Sequence, residues 1–137
     1  MKPVTQTIFG KNGNCMTACI ASILELPIEI VPHWKTPEHW YEELNKGLHK
    51  FGYFLLSFPV RKRDGVWWSP PNDVVCIAGG MSSRGLGHAV VWCNGHIIHD
   101  PHPSHEGIKK IEDFTFICQL DPGNRKFSIG RGFYDKL

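Results

Sequence analysis

Long apolar runs are missing from this chain of 137 residues, and no apolar core follows Met1-Lys2-Pro3-Val4-Thr5-Gln6 at its start. No segment approaches the roughly 20 residues that a membrane-spanning helix needs. Nothing reads as a secretory leader. The expectation is a soluble, unprocessed, cytoplasmic protein with no membrane partner. Charge of one sign is scarce too. The formal net charge is +2, and basic residues group only briefly, at Arg61-Lys62-Arg63 and Lys109-Lys110. Nucleic-acid binding calls for a denser basic face, so no nucleic-acid partner is expected. A disulfide framework is also missing. The five cysteines, at 15, 19, 76, 93 and 118, are odd in number and irregular in spacing, which points to reduced thiols, mostly buried. There are no internal repeats and no low-complexity segments.

What is present suits one folded domain, 1–137, because 42% of the residues are hydrophobic, well above a disordered composition. Residues 3–9 read as a short extended arm, and Lys11-Asn12-Gly13-Asn14 as a turn with Asn14 as N-cap. Met16, Cys19, Ile20, Ile23 and Leu24 recur at helical spacing with small residues between them, predicting a helix buried on nearly every side until Pro27 ends it. Thr36-Pro37 predicts a second helix start, with Thr36 as cap, running amphipathically to Phe51 before Gly52. The period then changes to that of strands. Strands are expected at Tyr53–Phe58, Val74–Ala78, His88–Cys93, His96–His99 and Thr115–Leu120, with a helical turn near Ile111–Phe114. Val60–Asp73, which holds the exposed-looking pair Trp67-Trp68, reads as a loop. So does Gly79–Gly87, flexible enough to gate a cleft. One more strand is expected in the glycine-punctuated tail from Pro122. Helices first and an antiparallel sheet after them define an α+β fold.

Chemistry concentrates at three places. Cys15 lies where a polar loop becomes an apolar helix, so the helix N-terminus is expected to lower its pKa and favour a thiolate. Cys19, one turn deeper, is expected to pack in the core. His88 opens a strand directly after the glycine-rich loop. Asn94-Gly95 is a two-residue hairpin signal, and simple pairing across it matches 93 with 96, 91 with 98 and 89 with 100. That register sets Asp100 diagonally beside His88. A thiol, an imidazole and a carboxylate are the parts of a nucleophilic triad. Gln6 is a candidate oxyanion donor beside the Cys15 N–H, with Asn12 or Asn14 as substitutes.

The Gln…Asn-Cys-Met-Thr-Ala-Cys-Ile-Ala-Ser-Ile-Leu start, the Gly87-His88-Ala89-Val90-Val91 strand and the Ile98-His99-Asp100-Pro101 strand end resemble papain-like cysteine peptidases, most closely the C39-like, bacteriocin-processing branch. They also resemble small standalone domains of this fold from phages and bacteria, which would act inside a bacterium or an infected host cell. The resemblance implies a papain-like fold, with the nucleophile-bearing helix packed on an antiparallel sheet. It also implies a cysteine-dependent hydrolase (peptidase, isopeptidase or amidase), or an acyl transferase, working through a thioester and needing no cofactor. Its substrate would be a peptide or protein. Cys15 is then nucleophile, His88 general base, Asp100 orienter and Gln6 oxyanion donor. The chain departs from the family at Asn14-Cys15-Met16, where Asp-Cys-Gly is usual, and in its longer Gln6–Cys15 interval.

Two other readings stand beside this one. His96, His99, Asp100, His102 and His105 are dense enough to suggest a zinc hydrolase built on loop 96–105. Alternatively, Trp67-Trp68 before Ser69-Pro70-Pro71 could form the recognition loop of a non-catalytic, phage-type protein that binds and blocks a host factor.

Overall fold

The computed structural model describes residues 1–63 and 66–121. Two helices, α1 (Cys15–Leu24) and α2 (Trp40–His49), precede seven strands: β1 (Tyr53–Pro59), β2 (Lys62–Arg63), β3 (Val66–Trp67), β4 (Cys76–Met81), β5 (Gly87–Cys93), β6 (His96–His99) and β7 (Lys110–Gln119). Five strands form one antiparallel sheet in the order β1-β7-β4-β5-β6, and β2 pairs only with β3. The architecture is α+β, with both helices on one face of the sheet. The strand expected beyond Pro122 lies outside the described residues. Among the described residues no helix is long and apolar enough to cross a membrane.

Helix α1 is the centre of the core. Every residue from Met16 to Leu24 is buried, and Ile20, Ile23 and Leu24 are essentially closed to water against Ile77, Ala89 and Val91 of the sheet. Each such side chain contributes about 1.5–3 kcal/mol on burial. The helix ends earlier than Pro27, at Leu24. Glu25 turns left-handed (φ 57°) and its N–H bonds to the Ala21 carbonyl, the usual way to satisfy the last carbonyls. Asn14 starts the helix but does not cap it with its side chain. Its Oδ1 instead accepts the N–H groups of Thr7 and Ile8 at 2.9 and 2.8 Å, and its Nδ2 donates to Thr7 Oγ1. The arm is tied at other points as well. Val4 N–H donates to Ser22 Oγ, Gln6 N–H to the Pro101 carbonyl, and the Val4 carbonyl lies 2.7 Å from His99 Nε2.

The second helix starts differently from its sequence signal. Pro37–His39 form a single tight turn and α2 proper begins at Trp40. Thr36 makes no side-chain cap; its own N–H is taken by the Glu43 carboxylate at 3.0 Å. Leu44 and Leu48 face the core. From the same helix, Tyr41 Oη donates to the Leu55 carbonyl and Asn45 Oδ1 accepts the Leu55 N–H. These bonds satisfy part of the open edge of β1, which blunts it against pairing with other chains.

Four strand expectations change. The segment 110–119 is one continuous strand, with no helical turn at Ile111–Phe114, because β1 and β4 both pair with it and demand alternation: Thr115 and Ile117 face the helices, Phe114 and Phe116 the other side. Strand β4 runs on through Gly79-Gly80 to Met81, so the loop shrinks to Ser82–Leu86. The glycines extend the strand here because a Cβ at Gly79 would meet the Asp113 carboxylate and one at Gly80 the Lys110 carbonyl. The presumed loop after Val60 contains the β2–β3 hairpin. Finally, the Asn94-Gly95 hairpin forms with 93 opposite 96, but a bulge then sets Val91 opposite His99, in place of residue 98. The extra residue breaks the simple register and bends the end of β6, so Asp100 leaves the ladder as a loop residue.

Candidate active site

The N-terminus of α1, the start of β5 and the loop after β6 meet around a cavity of about 460 Å³ lined by Cys15, His88, Gln6, Trp34, Trp40 and Asp113 among others. His88 sits where β5 emerges, and Ala89-Val90-Val91 behind it are buried. Its Nε2 lies 2.7 Å from Asp100 Oδ1, and the two side chains are only 3% and 4% exposed.

Asp100 is held by more than the imidazole. Oδ1 also accepts the His102 N–H at 2.9 Å, and Oδ2 accepts the Gly107 N–H at 2.7 Å. Burial pushes this carboxyl upward, but the bonds from His88 and the two backbone N–H groups outweigh it and hold the pKa below the ordinary value. Asp100 therefore remains a carboxylate, an acceptor on both oxygens, and it fixes which nitrogen of His88 carries the proton. With Nε2–H directed at Asp100, Nδ1 is the nitrogen left to take a proton from elsewhere. The His102 ring lies edge-on to His88 at 6.0 Å between centroids.

Cys15 is partly accessible and faces a ring of backbone donors. The N–H groups of Ala89, Met16 and Cys15 itself are directed at its sulfur. The structure corrects the expectation of a lowered pKa. Burial pushes the thiol above its ordinary value, the three N–H groups pull it down without overcoming that, and the charge on Asp100 adds to the rise. The helix N-terminus is present but the water is not, and desolvation of the anion is the larger effect. Among the described residues no hydrogen bond joins Cys15 to His88, although both line the cavity and the Ala89 N–H brings the thiol to the residue next to the imidazole. Cys19 is fully buried.

Gln6 also lines the cavity, 6% exposed. Its Nε2 donates to the Ile8 carbonyl at 2.9 Å, which leaves one N–H uncommitted, while Oε1 has no partner. Asn14 is no substitute, since its amide is spent on Thr7 and Ile8. Among the described residues no three His, Cys, Asp or Glu side chains are grouped so as to hold a metal. His99 is turned to the Val4 carbonyl, His102 Nδ1 to Ser104 Oγ, and Asp100 to its three donors. Trp67 is 59% exposed, whereas Trp68 packs on Phe58, Phe114 and Phe116 on the sheet face away from the helices.

Four residues of the site carry no local mark in the sequence: Gly107, Glu106, Trp34 and Trp40. Gly107 delivers its N–H to Asp100 from a left-handed conformation (φ +74°), a glycine whose requirement shows only in three dimensions. Glu106, just before it, accepts from Ser83 Oγ at 2.6 Å and Arg84 Nη1 at 3.5 Å, tying the loop that precedes His88 to the loop that holds Asp100. Trp34 and Trp40, in edge contact with one another, form an aromatic part of the cavity wall. Compared with family models, with curated proteins and with solved structures, the chain matches none of them, so the chemistry rests on the geometry of the site itself.

Proposed function

We propose that this protein is a cysteine-dependent hydrolase of papain-like architecture, acting on a peptide or other amide. The observation that carries the reading is the buried His88–Asp100 pair, joined at 2.7 Å, whose imidazole lines the same cavity as the Cys15 thiol. A buried imidazole whose tautomer is fixed by a fully hydrogen-bonded carboxylate suits a general base beside a nucleophile.

In the proposed cycle the Cys15 thiol gives its proton to His88 Nδ1 as its sulfur attacks the carbonyl carbon. In this cycle the N–H groups of Cys15 and Met16, near the sulfur, turn to the developing oxyanion, and the second N–H of Gln6 adds to them. His88 returns the proton to the leaving amine, and the C–N bond breaks to leave a thioester on Cys15. Water, deprotonated by the same imidazole, attacks the thioester; the acid leaves and the thiol is restored. An amine in place of water gives acyl transfer. Because burial holds the resting thiol protonated, proton transfer accompanies attack on bound substrate, and no standing ion pair is required.

The test is covalent. The native protein is treated with a peptidyl acyloxymethyl ketone, and modified residues are mapped by mass spectrometry in the unmodified sequence, Cys15→Ser and His88→Ala. Modification confined to Cys15 and lost in His88→Ala is the expected result. Equal modification of Cys93 or Cys118, or modification of Cys15 that ignores His88, overturns the reading and favours a non-catalytic binder.

A further inference from the structure

The cavity contains a carboxyl group that the proposed cycle does not use. Asp113 lies on β7, opposite Gly79 of β4, which in turn lies opposite Ala89 of β5. All three face the helices, and the Ala89 N–H is one of the three that act on the Cys15 sulfur. Neighbouring strands are about 4.8 Å apart, so Asp113 stands two strands, about 10 Å, from the backbone that touches the nucleophile. Its carboxylate leans further in, over the bare Cα of Gly79, where any Cβ would collide with it.

This carboxyl is half-buried. Among the described residues it makes no ion pair and no hydrogen bond. Of the basic residues lining the cavity, Arg84 is engaged with Ser104 and Glu106, and Lys11 does not reach Asp113. Burial, with the neighbouring charge of Glu112, pushes the Asp113 pKa up. A carboxylate withdrawn from water without a partner is costly, and a bound cation would reverse that cost. Two other groups in the cavity wall are unmet among the described residues: Oε1 of buried Gln6 has no donor, and Trp34 Nε1 has no acceptor. A ligand with amide groups offers both an N–H and a C=O.

We propose that Asp113 is a specificity-determining residue that selects a peptide bearing an ammonium or guanidinium group beside the carbonyl attacked by Cys15. The inference rests on the reading of Cys15 as nucleophile and names the substrate class of that site. Gly79, between Ala89 and Asp113, puts no side chain between thiol and carboxylate, and the reach of a lysine or arginine side chain spans the gap.

The experiment uses two peptidyl acyloxymethyl ketones that differ only in the residue next to the ketone, arginine or its neutral isostere citrulline. The rate of Cys15 modification is measured with each, in the unmodified protein, Asp113→Asn and Glu112→Gln. The arginine reagent is expected to react about tenfold faster or more, with the ratio of the two rates falling towards one in Asp113→Asn. A ratio near one in the unmodified protein overturns the proposal while leaving the nucleophile in place. Failure of both reagents to modify Cys15 overturns the nucleophile and the specificity with it. The wild-type ratio decides the matter even if a variant folds poorly.

Discussion

His88 Nε2 and Asp100 Oδ1 lie 2.7 Å apart, almost closed to solvent, and every lone-pair direction that Asp100 uses meets an N–H: His88 and His102 on Oδ1, Gly107 on Oδ2. Asp100→Asn must turn an NH₂ toward one of these donors. The substitution is expected to lower Cys15 acylation by on the order of 10²–10⁴-fold through the wrong imidazole tautomer. It should also cost about 1–3 kcal/mol of stability for the buried mismatch. Chemical denaturation and the rate of covalent labelling read the two effects separately. A variant that labels at the wild-type rate would show that Asp100 only shapes the loop.

The same carboxylate sets a pH dependence. Its folded pKa is held below the ordinary value of about 3.9, so the unfolded chain binds the proton more readily. Asp100 therefore contributes stability that is present above pH 4 and is lost as pH falls through the lowered folded value. Unfolding free energy measured between pH 5 and pH 2 should fall more steeply for the wild-type protein than for Asp100→Asn. Equal slopes would contradict the assignment.

How much of this could be read from the chain alone varies from residue to residue. Cys15, His88 and Asp100 were legible because each stands at a punctuated boundary: Gly-Asn before a buried helix, glycine before a strand, and proline after one. The pairing argument that joined Asp100 to His88 was sound in direction but wrong in register, since a bulge between Val91 and Trp92 leaves no local signal. The glycines at 79 and 80 looked like flexibility because close approach by Asp113 and Lys110 comes from a strand thirty residues away. Asn14 carried a correct capping signature, yet the arm at Thr7 and Ile8 competes for the same oxygen and takes it. Local signals named the residues; long-range contacts decided what those residues do.

Burial also determines how the thiol responds to pH. A cysteine whose folded pKa lies above its unfolded value contributes stability that is complete below the unfolded value, and it is lost as pH rises through the folded one. Iodoacetamide labelling of native Cys15 is therefore expected to have an alkaline midpoint above that of a free thiol. Cys76, pushed up to about 12 by burial, should stay unlabelled throughout. A midpoint for Cys15 below the free-thiol range would mean a resting thiolate paired with His88, and it would refute the concerted proton transfer proposed above.

Gly79 and Gly80 make a graded test of the strand they form. A methyl at Gly80 meets the Lys110 backbone carbonyl and the Ile108 side chain, neither of which can yield without moving β7. Gly80→Ala is expected to cost about 1–3 kcal/mol or more by overpacking. At Gly79 the obstacle is the end of the Asp113 side chain, which can rotate away, so Gly79→Ala should cost less in stability and more in the arginine–citrulline ratio. Thermal unfolding of the two variants checks the order. If both alanines were neutral, the segment would be a mobile loop after all.

Asn14 joins the arm to the helix that carries the nucleophile, and its two roles separate by substitution. Oδ1 accepts two backbone N–H groups, while Nδ2 makes a single bond to a hydroxyl. Asn14→Ala strands the N–H groups of Thr7 and Ile8 and should cost about 1–3 kcal/mol. Asn14→Asp keeps the acceptor for both, and the Thr7 hydroxyl, which accepts from Asn14 Nδ2, can turn to donate to the new carboxylate oxygen. Its negative charge at the start of α1 is favourable to the helix by about 0.3–1 kcal/mol, so the variant should retain most of the stability. That charge also stands next to Cys15 and disfavours a thiolate. Asn14→Asp should therefore move the alkaline midpoint of Cys15 labelling further up while the fold holds, whereas Asn14→Ala should loosen the arm and with it Gln6. A capping role alone predicts the same order of stability, aspartate neutral and alanine destabilised, but no change at Gln6, and hydrogen exchange of the Thr7 and Ile8 amides distinguishes the two.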